Sequence, residues 1–473
     1  MTEIHHTPGP EAIAAEGGAP FSTLGLPPAV LANLSLLGYH TMTPIQAASL
    51  PHSLAGRDLI AQAKTGSGKT AAFALPLLMK LNVRSLEVQA LVLCPTRELA
   101  EQVSGEIRRL ARAEDNIKVL TLCGGSPAKP QRVSLEHGAH VVVGTPGRVL
   151  DHLQSGALLL RDLSTLVLDE ADRMLDMGFN DDMVAVASLC PLSRQTLLFS
   201  ATFPDGIARI AARFLLTPHE VKLAESHAAD KIRQRFYEVA PEARLAGVAR
   251  LLQHYRPVST LAFCNTRQQC RDLVDTLQAA GIVALALHGE LDQRERDQVL
   301  VQFAQRSCSV LVATDVAARG LDIADLEAVI NVDVTPDPEI HVHRIGRTGR
   351  GDAQGWALSL VSPNEKRRIE AIATAQGFVP EWATLDELDA SGEALLPPMA
   401  TLQILGGRKE KLRAGDVLGA LTGEAGFSRE QVGKISVMEL STYVAVNRDI
   451  ADKAVRRLSD GKIKGKRVKV RRL

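Results

Sequence analysis

The segment that most restricts how this chain folds is AQAKTGSGKT, residues 61–70, which lies between an apolar run and a helix-forming stretch. Ala63, Lys64, Thr65, Gly66, Ser67, Gly68, Lys69 and Thr70 make an AxxxxGKT pattern. A strand candidate, Asp58 to Ala61, precedes it, and AAFALPLL follows it. Glycines here let backbone N–H groups converge, and the N-terminus of the next helix adds positive potential. Such a loop cradles phosphates, with Lys69 reaching the outer oxygens and Thr70 offering its hydroxyl to Mg2+. It requires the carboxyl end of a strand in an open α/β sheet.

The surrounding pattern agrees. Short β-rich runs alternate with helical stretches between residues 58 and 223, at Ala90 to Cys94, Val119 to Leu122, Val141 to Val143, Leu166 to Leu168 and Thr196 to Phe199. A second series follows at Thr260 to Cys264, Val283 to Leu287, Val310 to Ala313, Ala328 to Val332 and Ala357 to Val361. Alternation of this kind predicts two parallel-sheet α/β domains in tandem. A length of 473 residues accommodates both and a smaller third unit. The divisions expected are a flexible tail over 1–20, a first domain over 21–223, a linker over 224–232, a second domain over 233–385, a linker over 386–400 and a basic domain over 401–473.

The apolar strand STLVL runs directly into Asp169, Glu170, Ala171 and Asp172. Carboxylates at the carboxyl end of a strand sit where open α/β sheets bind ligands. Coupled to the phosphate loop, Asp169 is read as a holder of Mg2+ and Glu170 as the group that positions or deprotonates an attacking water.

At this point the sequence resembles the DEAD-box RNA helicases. DEAD at Asp169 to Asp172 and AKTGSGKT match that family, and further motifs follow in its order. These are PTRELA at Pro95 to Ala100, Gly124 with Gly125, TPGR at Thr145 to Arg148, and SAT at Ser200 to Thr202. The second domain continues with Phe263 to Arg267, His288 to Arg296, ATDVAARGLDI at Ala313 to Ile323 and HRIGRTGR at His343 to Arg350. The segment GYHTMTPIQ, ending at Gln46, is similar to the family's Q motif, with Tyr39 where Phe is commoner and Phe21 as the upstream aromatic. A Gln amide matches the donor and acceptor on an adenine edge, and an aromatic ring can stack on the base.

The resemblance implies two RecA-like domains that hydrolyse ATP in a pocket completed by both. Arg347 and Arg350 would then supply positive charge to the γ-phosphate, and Gly320 and Asp322 would face the nucleotide. It places RNA along Arg97, Gly125, Thr145 and Arg148 on the first domain, and along His288, Gly289, Arg296, Thr314 and Asp315 on the second. Ser200 and Thr202 would couple Asp172 to the second domain. RNA bridging the domains would stimulate hydrolysis, and clamping a bent strand would open short duplexes locally.

Charge is unevenly placed. The chain carries 54 basic and 54 acidic residues, yet 401–473 holds 17 basic against 8 acidic. Seven bases crowd between Lys462 and Arg472, which favours a phosphate-bearing partner. This segment reads as βαββαβ, the order of an RNA recognition motif, with Tyr443 the sole aromatic on its third strand and none on its first. Loops and basic edges are therefore the expected contacts. With GDVLGALTGEAG and GKIKGKRVKVRR, it resembles the C-terminal domain of DbpA-type helicases, which implies a hairpin of 23S ribosomal RNA in maturing 50S particles as target. Arg408, Lys409, Lys411, Arg413, Lys462, Lys464, Lys466 and Arg467 are the candidate contacts.

No apolar stretch reaches the ~18 residues of a membrane span, and the first twenty residues lack a secretory pattern. The six cysteines are scattered without CxxC pairs, so reduced thiols and a cytoplasmic location are expected. A nonspecific RNA chaperone or ATP-gated clamp, a DNA motor and a noncatalytic scaffold are the competing readings.

Overall fold

The computed structural model describes residues 18–63, 66–223, 231–318, 326–349, 354–389 and 394–473. Most of the 1–20 tail and of the 224–232 linker lies outside these residues. Described residues up to 223 form one compact unit, and those from 231 onward form another.

In the first unit, seven described strands are β1 (Leu59–Gln62), β2 (Ala90–Leu93), β3 (Val119–Leu122), β4 (Val141–Gly144), β5 (Thr165–Asp169), β6 (Gln195–Ser200) and β7 (His219–Lys222). They form one sheet in the order β3-β4-β2-β5-β6-β1-β7, with every pairing parallel. Helices cover both faces, so the inner strands are apolar on both sides. Ala90 and Val92 of β2 join one core cluster, while Leu91 and Leu93 join the other.

The second unit begins with β8 (Ile232–Glu238), followed by β9 (Thr260–Cys264), β10 (Ala284–Leu287), β11 (Val310–Thr314), β12 (Ala328–Asn331), β13 (Gly355–Val361) and β14 (Trp382–Ala383). Their order is β10-β11-β9-β12-β13-β8-β14, again parallel throughout. β8 starts at Ile232, inside the segment read as linker. Its alternating Arg233, Arg235 and exposed Glu238 hide the strand from an apolar-run reading.

The rest of this unit is a four-stranded antiparallel sheet of β15 (Met399–Ile404), β16 (Val432–Val437), β17 (Thr442–Asn447) and β18 (Val470–Arg472), ordered β16-β17-β15-β18. Helices Ala414–Gly419 and Ala451–Asp460 complete the βαββαβ order. Ala400, Leu402 and Ile404 alternate inward against the helices, beside Val444 and Val446. β15 begins two residues before the expected boundary at 401, and Leu395 pairs with Ile282, so this part of the 386–400 linker is ordered against the second RecA-like sheet.

The other face of this small sheet is also covered. Thr401, fully buried, donates from its hydroxyl to Gln305 Oε1 at 2.9 Å and lies 2.6 Å from Ser307 Oγ. Gln305 Nε2 donates to the carbonyl of Tyr443 at 3.2 Å, and Met399 N donates to Arg306 O at 3.3 Å. Tyr443 is only 4% exposed. A sheet face that stacks bases in other RNA recognition motifs is here docked on the residues leading into β11.

All six cysteines are buried and free, and no described helix is long and apolar enough to cross a membrane. Replacing Thr401 with Val keeps its volume but leaves Gln305 and Ser307 short of a partner in a buried site. The variant is expected to unfold at lower urea, with a loss of about 1–3 kcal/mol, checked by chemical denaturation.

Candidate active site

The carboxyl edge of the first sheet divides in two. β5, β6 and β1 are neighbours and carry the acidic and phosphate-loop residues, while β3, β4 and β2 are neighbours and carry the residues expected to meet RNA. One sheet edge therefore presents two adjoining sites, as expected at the crevice of an open α/β sheet.

After β1, Ala63 N is held by Ser200 O at 3.0 Å, and Gly66, Ser67 and Gly68 lead into the helix Lys69–Met79. Gly68 has φ +95°, and a Cβ there would lie 2.6 Å from Gln46 Nε2. Both backbone angle and space demand glycine. Lys69 is 6% exposed, and neither its Nζ nor Asp169 Oδ1 has a hydrogen-bond partner among the described residues. Thr70 follows Lys69 in the first turn, half-buried. Lys64, Thr65, Gly320, Asp322 and Arg350 lie outside the described residues.

Asp169 closes β5, and burial pushes its carboxyl up to about 7 against the opposing pull of Lys69. Glu170 follows in the left-handed region at φ +51°, is buried, and pairs with Arg173 at 3.5 Å. A non-glycine residue held in that conformation marks a site where the fold fixes a side chain at some cost. Among the described residues no group of three His, Cys, Asp or Glu could hold a metal alone. Mg2+ is commonly held by one or two protein oxygens together with phosphates and water. Asp169 and Thr70 fit that role, since a buried carboxylate oxygen without a partner needs a cation or a donor.

Asp172 is bound differently. Thr202 donates to its Oδ2 through N at 2.8 Å and Oγ1 at 3.0 Å, Ala201 N adds 3.1 Å, and Asp172 N donates to Ser200 Oγ at 3.2 Å. Burial works to raise its carboxyl, but the Thr202 N–H, Lys69 and the Thr202 hydroxyl outweigh that and hold it below the usual range. The SAT segment is thus tied to the fourth residue of the acidic motif.

Gln46 is buried, with Oε1 accepting from Thr43 N at 2.9 Å and Nε2 donating to Gly68 O at 3.1 Å. Its amide joins the Q segment to the phosphate loop. Phe21 is 3% exposed and packs edge-on against Tyr39, with centroids 6.2 Å apart.

On the other half of the edge, Arg97 Nη1 donates to Ser126 Oγ at 3.0 Å, and Arg148 Nη1 donates to Ser126 O at 2.9 Å and Gln131 Oε1 at 3.1 Å. Gly125, at φ +73°, directly precedes that shared serine, and Thr145 precedes the helix Pro146–Gln154. Ser126 and Gln131 went unnoticed in the sequence because their role depends entirely on partners 17 to 29 residues away.

In the second unit, β10 and β11 are neighbours, so His288 and Gly289 emerge beside Thr314 and Asp315. Burial, then Arg271 and Arg267, keep His288 below the usual imidazole range. Arg296 Nη2 donates to Ala317 O at 2.8 Å. Arg344, unremarked in the sequence, grips Asp315 through two bonds of 2.7 and 2.6 Å and packs over Phe263. Buried Arg347 sits on the turn after the helix Pro338–Ile345. On the small domain, Arg408, Lys409, Lys411, Arg413, Lys462, Lys464, Lys466 and Arg467 are exposed. Lys464 is already engaged, donating to Lys411 O at 2.6 Å and pairing with Asp416 at 3.5 Å.

Tandem parallel sheets, a phosphate loop facing an acid pair, and a second edge lined with arginine describe an ATPase core of the helicase class. Comparison with known proteins narrows this. The family described as DEAD/DEAH box helicase matches residues 43–210, Helicase conserved C-terminal domain matches 243–352, and DbpA RNA binding domain matches 401–472. The ATP-dependent RNA helicase DbpA of Escherichia coli (strain K12) is 53% identical over 454 residues, covering 96% of this chain and 99% of the relative. The DEAD-box ATP-dependent RNA helicase CshA of Geobacillus kaustophilus (strain HTA426) is 45% identical, covering 74% of this chain and 75% of the relative. Among solved structures, S. cerevisiae Dbp5 bound to RNA and ADP BeF3 aligns with a TM-score of 0.71 at 31% identity, covering 78% of this chain and 96% of that one. The chain belongs to the DbpA-type DEAD-box ATP-dependent RNA helicases.

Thr202→Val should test the Asp172 network. Because the depressed carboxyl stabilises the fold only while ionised, the variant should lose about 1–2 kcal/mol above pH 5. The deficit should shrink only as pH falls below the ordinary carboxylate value of 3.8 and through the lower folded-state value, measured by urea unfolding at pH 7 and at pH values stepped down below 3.8.

Proposed function

We propose that this helicase couples RNA-stimulated ATP hydrolysis to local unwinding of short RNA duplexes, and that its small domain directs it to a 23S ribosomal RNA hairpin during assembly of the large subunit in the cytoplasm. The observation that carries the catalytic part is that Lys69 Nζ and Asp169 Oδ1 are both buried and, among the described residues, without hydrogen-bond partners.

Lys69 and the loop N–H groups bind the outer phosphates of ATP. Thr70 and Asp169 would hold Mg2+, which would supply positive charge to the transferring phosphoryl group. Glu170 orients a water and takes its proton as the water oxygen bonds to the γ-phosphorus and the bond to the β-phosphate oxygen breaks. Arg347 and Arg350 stabilise the charge on the transferring group. Arg97, Gly125, Thr145, Arg148, His288, Gly289, Arg296 and Thr314 bind the RNA backbone, whose contacts read shape and 2′-hydroxyls. Asp315, gripped by Arg344, acts by holding that strand end in place.

Targeting is supported by the docked sheet face. With Thr401 and Tyr443 buried, RNA meets the exposed basic loops, which are free to recognise a folded hairpin. The nonspecific chaperone differs only in this step.

Lys69→Ala and Glu170→Gln should each abolish RNA-stimulated ATPase activity, while Arg350→Ala should leave ATP binding largely intact; phosphate release and nucleotide titration are the measurements. The triple variant of Lys462, Lys466 and Arg467 to Ala, in the full chain, should lower stimulation by a 23S fragment at least ten-fold. It should leave stimulation by unrelated RNA near wild type. Equal losses with both RNAs would favour the chaperone reading.

A further inference from the structure

The segment before Gln46 is fastened in an unusual way. Gly18 N donates to Met42 O at 3.1 Å, Met42 N donates to Ala19 O at 2.9 Å, and Pro20 bridges Thr41. Phe21 therefore moves with the stretch that leads into the Thr43 and Gln46 cap. Tyr39 stands between, on a turn where Gly38 has φ +85° and Tyr39 N donates to Leu34 O at 2.9 Å. The Phe21 ring meets Tyr39 at 89°, edge to face.

The Tyr39 hydroxyl donates to Glu106 Oε1 at 2.7 Å. Glu106 lies on the helix Arg97–Leu110, and its other oxygen pairs with Arg109 at 2.7 Å. Asn33 Nδ2 donates to the carbonyls of Arg109 and Leu110 at 3.1 and 3.0 Å. Burial and then Glu106 raise the phenol well above its ordinary value, so it stays a donor. Ring packing alone would be satisfied by Phe. The hydroxyl adds a directional bond to a charged acceptor, which fixes the position of the ring rather than merely filling space.

We propose that the Tyr39 hydroxyl, held by Glu106, is a specificity-determining positioning group that sets Phe21 and Gln46 for adenine. This rests on the reading of Phe21 and Gln46 as adenine contacts. Tyr39 itself touches no reacting atom. Its bond anchors the base-reading segment to a helix whose first residue, Arg97, lies on the RNA half of the sheet edge.

The test uses the full-length chain with saturating RNA. In Tyr39→Phe, KM for ATP and the inhibition constant for ADP should rise about five-fold, kcat should stay within about two-fold, and the inhibition constant for GDP should not move. Glu106→Gln retains an acceptor oxygen and should keep the wild-type preference for ADP over GDP, whereas Glu106→Leu should reproduce Tyr39→Phe. A preference that survives Tyr39→Phe overturns the proposal alone, and so does an equal loss for both diphosphates, which would mark a merely structural role. A wild-type enzyme that does not distinguish ADP from GDP removes the adenine reading and this proposal together.

Discussion

The first unit is organised around an imbalance of polarity at one point, where an ammonium and a carboxylate oxygen are buried and, among the described residues, lack hydrogen-bond partners. Groups of this kind each disfavour folding by roughly 1–3 kcal/mol or more when left unsatisfied. The surrounding fold offsets that with apolar burial on both faces of the sheet, from Leu59, Phe73 and Val167 to Leu198 and Phe199. Strain is concentrated there too, since Glu170 occupies a left-handed conformation directly after Asp169. A sheet packed on both faces is what lets these groups stay buried at its edge.

The arrangement follows from strand order. Because β2 lies between β4 and β5, the sheet places the loops proposed to face phosphate on β5, β6 and β1, and those proposed to meet RNA on β3, β4 and β2, without intermixing. Asp172, held by Thr202 and Ser200, ties two strand ends on the phosphate side. Arg97 and Arg148, joined through Ser126, tie strand ends on the RNA side. Each half is thus pre-set by its own hydrogen bonds, which spares reorganisation when ligands arrive.

Much of this was legible in the sequence, for local reasons. Gly68, Lys69 and Thr70 announce a phosphate loop because their roles depend on neighbours in the chain. β2, β4 and β6 are visible because central parallel strands are apolar throughout. β7, an edge strand in which only Val221 is buried, gave no such run, and β14 has two residues. Ser126 and Gln131 act through partners distant in sequence, so composition and spacing carry no trace of them, while Arg344 lies in the HRIGRTGR motif but its grip on Asp315 depends on the fold. The docking of β15 was equally hidden, although its alternation of Thr401 and Gln403 with Ala400, Leu402 and Ile404 is plain once a partner for the polar face is known.

That docking also accounts for a peculiarity of the small domain. A free four-stranded sheet of this topology recruits RNA by stacking bases on aromatic side chains. Here β15 supplies Met399, Thr401 and Gln403 to the corresponding face, and Gln305 and Ser307 occupy it. Tyr443, opposite Gln403 on that face, is buried rather than open to a base, its hydroxyl accepting from Gln403 Nε2 at 3.2 Å. Under the proposed targeting, recognition falls to the exposed loops, and loops without stacking platforms depend on charge. The excess of 17 bases over 8 acids in 401–473 is the compositional counterpart of that dependence. The docking also ties the basic loops of the small domain to the residues leading into β11, whose far end carries Thr314 beside His288.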